Sequence, residues 1–107
     1  MESIMKKYNV HLIEEAKDDF KQFDNSQKIK VAKQLKSLET NPLKGKPLGK
    51  KFGIDLTGYY KLYVLKKQIR IIYTIKENQI MVEVISIGRR EEFAAYKDAF
   101  KRIKTSR

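Results

Sequence analysis

The sequence predicts an α+β domain: a small antiparallel sheet of about four strands, with an N-terminal α-helical hairpin packed on one face and a short C-terminal helix. Three observations carry that prediction. Apolar and polar residues alternate over 8–12, apolar residues recur at spacings of three and four over 13–38 and again beyond 88, and three apolar-rich runs between 59 and 87 are separated by short polar gaps.

Tyr8, Val10 and Leu12 alternate with Asn9 and His11, the period of two of a half-buried strand. Ile13, Ala16, Phe20 and Phe23 then follow helical spacing, with Glu14, Glu15, Asp18 and Asp19 on the early turns, where the helix dipole favours anions. That helix is expected to end near Asp24-Asn25. Ser26 or Asn25 is placed to cap a second helix, whose stripe of Ile29, Val31, Ala32, Leu35 and Leu38 runs until Asn41-Pro42 stops it. Residues 43–53, rich in glycine and lysine, predict a basic loop without regular structure. The apolar runs 59–65, 69–75 and 80–87, joined by Lys66-Lys67-Gln68 and by residues 76–79, predict an antiparallel meander. After Gly88, helical spacing returns in Phe93, Tyr96, Ala99, Phe100 and Ile103, before a basic end at 104–107.

A length of 107 residues without repeats predicts one domain over 1–107. There is no cysteine and one histidine, which argues against disulfides, thiol chemistry and a histidine-based metal site, so no metal or cofactor is expected. Neither a signal peptide nor a membrane span is legible, and the chain reads as cytoplasmic. Against 13 acidic residues stand 24 Lys and Arg, a formal charge of +11, of which +7 falls in residues 26–51. Such a chain prefers polyanions. Lys30, Lys33 and Lys36 can also be read as the solvated face of a helix.

Alternation along 59–65 puts Tyr60, Leu62 and Val64 toward the helical hairpin and Tyr59, Lys61, Tyr63 and Leu65 on the other face. With Lys66-Lys67 as the turn, position 63 lies opposite position 70, so Arg70 joins Lys61 and Tyr63, while Ile71, Tyr73 and Ile75 fall on the core face. The trio reads as a polyanion site or as an ordinary solvated sheet face.

The segment Ile87-Gly88-Arg89-Arg90-Glu91, with Tyr96 six places after the second arginine, resembles the end of RelE-type toxins of the RelE/ParE superfamily. Gly58-Tyr59-Tyr60-Lys61-Leu62 and Arg70-Ile71-Ile72-Tyr73 are similar to that family's central hairpin, and the resemblance extends over nearly the whole chain. It implies the toxin of a type II toxin–antitoxin pair, a ribosome-dependent, metal-independent endoribonuclease that cuts mRNA in the ribosomal A site and is neutralised by an antitoxin. Lys61 stands where the family has a catalytic lysine, Arg70 and Arg90 where it has arginines, and Tyr96 where it has a C-terminal tyrosine. Tyr63 departs from the family, which carries a second lysine there. Other branches use a Glu and a His instead, and His11 lies in the wrong segment for that.

Cleavage of RNA by its own 2′-hydroxyl needs a base, cations for the phosphorane and an acid for the departing 5′-oxygen. Arg70 and Arg90 suit the second task, because a guanidinium stays charged and holds two phosphate oxygens. Lys61 and Tyr96 are left for proton transfer in either order, and neighbouring cations should bring their pKa values, ~10.4 and ~10 when unperturbed, closer to neutrality. Tyr63 reads as a stacking platform for an RNA base, a substitute proton donor or a plain sheet residue. Tyr96 reads alternatively as a packing residue. Glu91 and Glu92 are expected to be solvated or paired with Arg89. Lys44, Lys46, Lys50, Lys51 and Arg89 are expected to contact RNA phosphates, in mRNA and in ribosomal RNA, without reading sequence. An acidic, partly disordered antitoxin is the expected protein partner. Two other functions fit the same residues: a ParE-type topoisomerase inhibitor and a non-catalytic RNA- or ribosome-binding module.

Overall fold

The computed structural model describes residues 7–51, 53–90 and 93–105. Its main sheet has five strands in the order β1 (Asn9–Leu12), β7 (Met81–Arg89), β6 (Ile69–Lys76), β5 (Tyr59–Val64) and β2 (Lys46–Pro47). The α1 (Glu14–Lys21) and α2 (Asn25–Ser37) hairpin covers one face and α3 (Ala94–Thr105) the other. The expected α+β layout holds, with two refinements: β1 pairs parallel to β7, and β2 adds a fifth strand. Both arise in the connections. The hairpin crossover returns the chain to the far edge of the sheet, and part of the basic loop pairs with β5.

That loop was expected to be irregular, but it holds a 3-10 turn at Pro42–Lys44, the edge strand β2, and β3 (Lys50–Lys51) paired with β4 (Ile54–Asp55). Pro47 is tolerated because an edge strand needs no second row of donors. Tyr73 ties the loop down: its buried hydroxyl donates to the Pro42 carbonyl at 2.7 Å and accepts from the Gly45 N–H at 2.9 Å. Gly45 permits this, since a Cβ there would meet the Lys61 carbonyl oxygen at 2.5 Å. Burial pushes the Tyr73 pKa up, against the Gly45 hydrogen bond.

The cap of α2 is Asp24 rather than Asn25 or Ser26. Its carboxylate accepts from the Gln27 N–H at 2.8 Å while the Gln27 side chain accepts from the Asp24 N–H at 3.1 Å, a reciprocal box. Val31, Leu35 and Leu38 are buried, whereas Ile29, two residues before Val31 and so on the opposite side of the helix, is 66% exposed. Ala32 is exposed as well, so the apolar stripe is narrower than its composition suggested.

Two cores result. Ala16, Val31, Leu35 and Leu38 pack on Leu62, Val64, Ile71 and Tyr73, as the alternation of β5 and β6 required. The second core lies on the face expected to be open, where Ala95, Tyr96 and Ala99 of α3 cover Ile72 and Ile85. A register shift pairs Ile72 with Ser86 but Tyr73 with Val84. The extra residue, Ile85, is a bulge that turns both Ile85 and Ser86 toward α3.

Beyond Val84, where β1 ends, side chains bind the backbone of β7. Asp19 accepts from the Ile87 N–H at 2.9 Å, and Arg102 donates to the Ile85 carbonyl at 2.9 Å and to Asp19 at 2.7 and 3.1 Å. This pair, with side chains 17% and 13% exposed, joins α1 to α3 around the sheet. Among the described residues no helix is long and apolar enough to cross a membrane.

Arg102→Ala strands the Asp19 carboxylate and is expected to cost about 3–5 kcal/mol in denaturant unfolding. Loss of the hydroxyl in Tyr73→Phe should cost about 1–3 kcal/mol in the same assay, because the Gly45 N–H and the Pro42 carbonyl then lose their partner.

Candidate active site

The site sits where β5, β6 and β7 run out from under α3. Tyr63 pairs with Arg70 as the turn length predicted, and Arg70 pairs with Gly88, which places Tyr63, Arg70 and Gly88 in one row across three strands. The turn from Leu65 to Gln68 holds Leu65, Lys66 and Lys67 at positive φ, and Leu65 packs against the first core instead of facing outward. Gly88 lets the start of α3 approach, because a Cβ there would lie 2.9 Å from the Ala95 nitrogen. The Ser86 hydroxyl donates to the Ala95 carbonyl at 2.6 Å and fixes that approach. Tyr96 is thereby set over Arg70.

Arg70 is only 3% exposed. Its guanidinium carbon lies 4.0 Å from the Tyr96 ring centroid, 5.5 Å from that of Tyr63 and 5.8 Å from that of Phe93. Aromatic faces attract the charge but accept no conventional hydrogen bond, and among the described residues Nε and Nη1 have no acceptor. The cleft beside it, of about 540 Å³, is lined by Lys61, Lys66, Lys67, Arg70, Arg89 and Arg90, together with Tyr63, Gln68, Phe93 and Tyr96. None of these is a carboxylate. Cations crowded around a buried arginine with unused donors make an oxyanion site, and the same donor set repels a divalent metal.

Lys61 donates to the Tyr63 hydroxyl at 3.3 Å. Burial opposes ionisation of Tyr63, but the Arg70 guanidinium and the Lys61 ammonium beside the hydroxyl prevail and bring its pKa down to about 8. Lys61 moves opposite to the expectation. Burial opposes its charge, yet the oxygens of Tyr63 and Tyr96 more than compensate, and its pKa is raised. The cations around Lys61 are visible in the sequence, whereas the two hydroxyls that face it are brought there by the fold.

Lys61, Tyr63, Arg70, Arg89, Arg90 and Tyr96 all reach the cleft. Arg89 leans away, its guanidinium 5.3 Å from the Phe23 ring centroid, whereas Arg90 is exposed at the rim and its N–H donates to the Gln68 carbonyl at 3.0 Å. Tyr96, 7% exposed, is both a packing residue and the platform under Arg70. Lys46 and Lys50 line an adjoining hollow of about 530 Å³ that shares Lys61 and Tyr96. Lys44 is directed elsewhere, to Gln34 at 2.8 Å and Ser37 at 3.1 Å on α2. Lys51 is described through its backbone in β3, and Glu91 and Glu92 lie outside the described residues.

Lys66, Lys67, Gln68 and Phe93 also line the cleft, although nothing in the sequence marks them for it. Lys67, taken only as a turn residue, lies 5.6 Å from the Tyr63 ring centroid. Phe93, assigned to the helical stripe, precedes α3 with φ of 54° and is 45% exposed beside Arg70. Its spacing to Tyr96 and Phe100 fits a helix, so no periodic signal marks position 93 as a turn.

Residues 10–99 match the family model of the ParE-like toxin of type II bacterial toxin–antitoxin systems. The chain is 33% identical over 78 residues to the mRNA interferase toxin RelE of Escherichia coli K12, covering 71% of this chain and 72% of that protein. Its fold is similar to the free-state structure of a mutant E. coli toxin RelE, with a TM-score of 0.70 and 24% identity over 91% of this chain and 98% of the other. It is also similar to the toxin–antitoxin complex RelBE2 of Mycobacterium tuberculosis, with a TM-score of 0.68 and 22% identity over 83% and 98% of the respective chains.

Gly88→Ala is expected to lower stability by about 1–3 kcal/mol in denaturant unfolding, because the added methyl lifts Ala95 and with it Tyr96 from Arg70. An unchanged unfolding midpoint would show that α3 does not need this close approach.

Proposed function

The chain belongs to the ParE-like toxin family of type II bacterial toxin–antitoxin systems as a RelE-type toxin, and on that premise we propose that it is a ribosome-dependent, metal-independent endoribonuclease that cleaves mRNA in the ribosomal A site. The observation that carries this reading is the buried Arg70, with Nε and Nη1 unpartnered, lining a cleft with Lys61 and Arg90 and with no carboxylate among its described residues. A phosphodiester supplies the acceptors that this guanidinium lacks.

In this reading the RNA's 2′-hydroxyl attacks the adjacent phosphorus, and Arg70 and Arg90 hold the non-bridging oxygens as negative charge accumulates on them. Removing one such donor typically costs 10² to 10³ in rate. Lys61 is a protonated neighbour of the phosphate. Tyr96 acts through its ring, which holds the guanidinium, and through its hydroxyl beside Lys61. Lys46, Lys50 and Lys51 of the loop, with Arg89, supply contacts to RNA phosphates that add affinity without base specificity.

The mycobacterial relative is a toxin bound to its antitoxin. The corresponding partner here is an acidic, partly disordered antitoxin, which a domain of formal charge +11 would steer and which would cover the cations needed for RNA. Ribosomes place the activity in the cytoplasm.

Primer extension on a defined message programmed into ribosomes tests the proposal. New 5′ ends in the A-site codon are expected with the purified protein, only when ribosomes are present, and a Lys61→Ala, Arg90→Ala double variant should lose them by at least 10²-fold. An intact message despite ribosome binding would leave a non-catalytic binding module, and an intact message with inhibited topoisomerase would leave the ParE-type activity.

A further inference from the structure

Tyr63 stands among the cations of the cleft. It is half-buried in the middle of the cleft, and its hydroxyl is the acceptor of the Lys61 hydrogen bond at 3.3 Å. Cations approach its ring from three elements: Lys61 of β5 at 5.2 Å from the centroid, Arg70 of β6 at 5.5 Å and Lys67 of the turn at 5.6 Å. From α3 comes Tyr96, and Lys66, Arg89 and Arg90 complete the charged lining, with no carboxylate among the described lining residues. Every charged group among the described lining residues therefore favours the Tyr63 phenolate over its phenol.

The geometry points to the Tyr63 phenolate oxygen as the general base of the cleavage step, with the Lys61 ammonium as its paired acid. This rests on the nuclease reading above. The proton of the attacking 2′-hydroxyl passes to the Tyr63 oxygen as the 2′-oxygen bonds to phosphorus. The bond from phosphorus to the 5′-oxygen breaks, and that oxygen takes a proton from Lys61. The products are a 2′,3′-cyclic phosphate and a 5′-hydroxyl. The tyrosine is then protonated and the lysine neutral, and transfer of one proton across their own hydrogen bond restores both. A base with a pKa near the working pH is the efficient choice, and the pKa of about 8 at Tyr63 meets that condition while the raised value at Lys61 keeps the lysine an acid.

Two measurements on the full chain test the assignment. Titration of the near-ultraviolet phenolate absorbance, without RNA, should show one tyrosine ionising with a midpoint of about 8 that is missing in Tyr63→Phe. Single-turnover cleavage on programmed ribosomes should rise with pH to a plateau through the same midpoint. Tyr63→Phe should fall 10² to 10⁴-fold and lose that rise while still binding ribosomes, and fluorotyrosine at position 63 should move the rise to lower pH. Cleavage by Tyr63→Phe at the wild-type rate with an unmoved pH profile overturns the base and leaves the nuclease standing. Failure of the wild type to cleave overturns the nuclease and the base together, whatever the titration shows.

Discussion

A charged guanidinium folded almost wholly out of water is the constraint around which the rest of the molecule is arranged. Arg70 lies on a central strand, so its backbone is committed to the ladder and its side chain must project into whatever covers that face. Burying an unpaired ion is costly. The fold offsets part of that cost with aromatic surface, with Tyr96 at 4.0 Å and the rings of Tyr63 and Phe93 beyond it, which attracts the cation and leaves Nε and Nη1 without an acceptor. An acidic partner would have stabilised the arginine better and left it nothing with which to bind phosphate.

Holding Tyr96 there requires α3 to lie close on the sheet. Gly88 supplies the space, Ser86 the hydrogen bond, and the bulge at Ile85 the turn of backbone that gives α3 both an apolar residue and a hydroxyl to dock on. The far end of α3 is fastened by Arg102, whose partner Asp19 belongs to α1 and also satisfies the Ile87 N–H. The hairpin on one face and the helix on the other are thus coupled around the edge of β7. A perturbation of either reaches the cleft through a strand that carries Gly88 and ends at Arg89.

Much of this is legible in the sequence. Alternation in 59–65 and a short turn sufficed to place Tyr63 opposite Arg70, because side chains on paired strands have no other freedom than the face they occupy. The helical hairpin followed from its spacing, although Ile29 shows that an apolar residue near a stripe is not always part of it. The capping residue was misplaced by one or two positions because Asp24, Asn25 and Ser26 are all capable caps and only Gln27 at the right offset selects Asp24. The second core was not anticipated. Alternation on a strand says which residues share a face, and it is silent on what arrives to cover that face.

By itself the sequence determined the order of the helices and main strands, the partition of β5 and β6, the concentration of positive charge and the meeting of Lys61 with Arg70, all of which follow from local periodicity, turn length and composition. Tertiary structure alone decided that Arg70 is buried rather than solvated and that Lys61, facing the Tyr96 hydroxyl as well as that of Tyr63, has its pKa raised. Both depend on through-space distances of a few ångströms between residues far apart in the chain, as Lys61 and Tyr96 are. Those distances are set by how α3 packs, through Gly88, Ser86 and Asp19, and no pattern within a single segment encodes them.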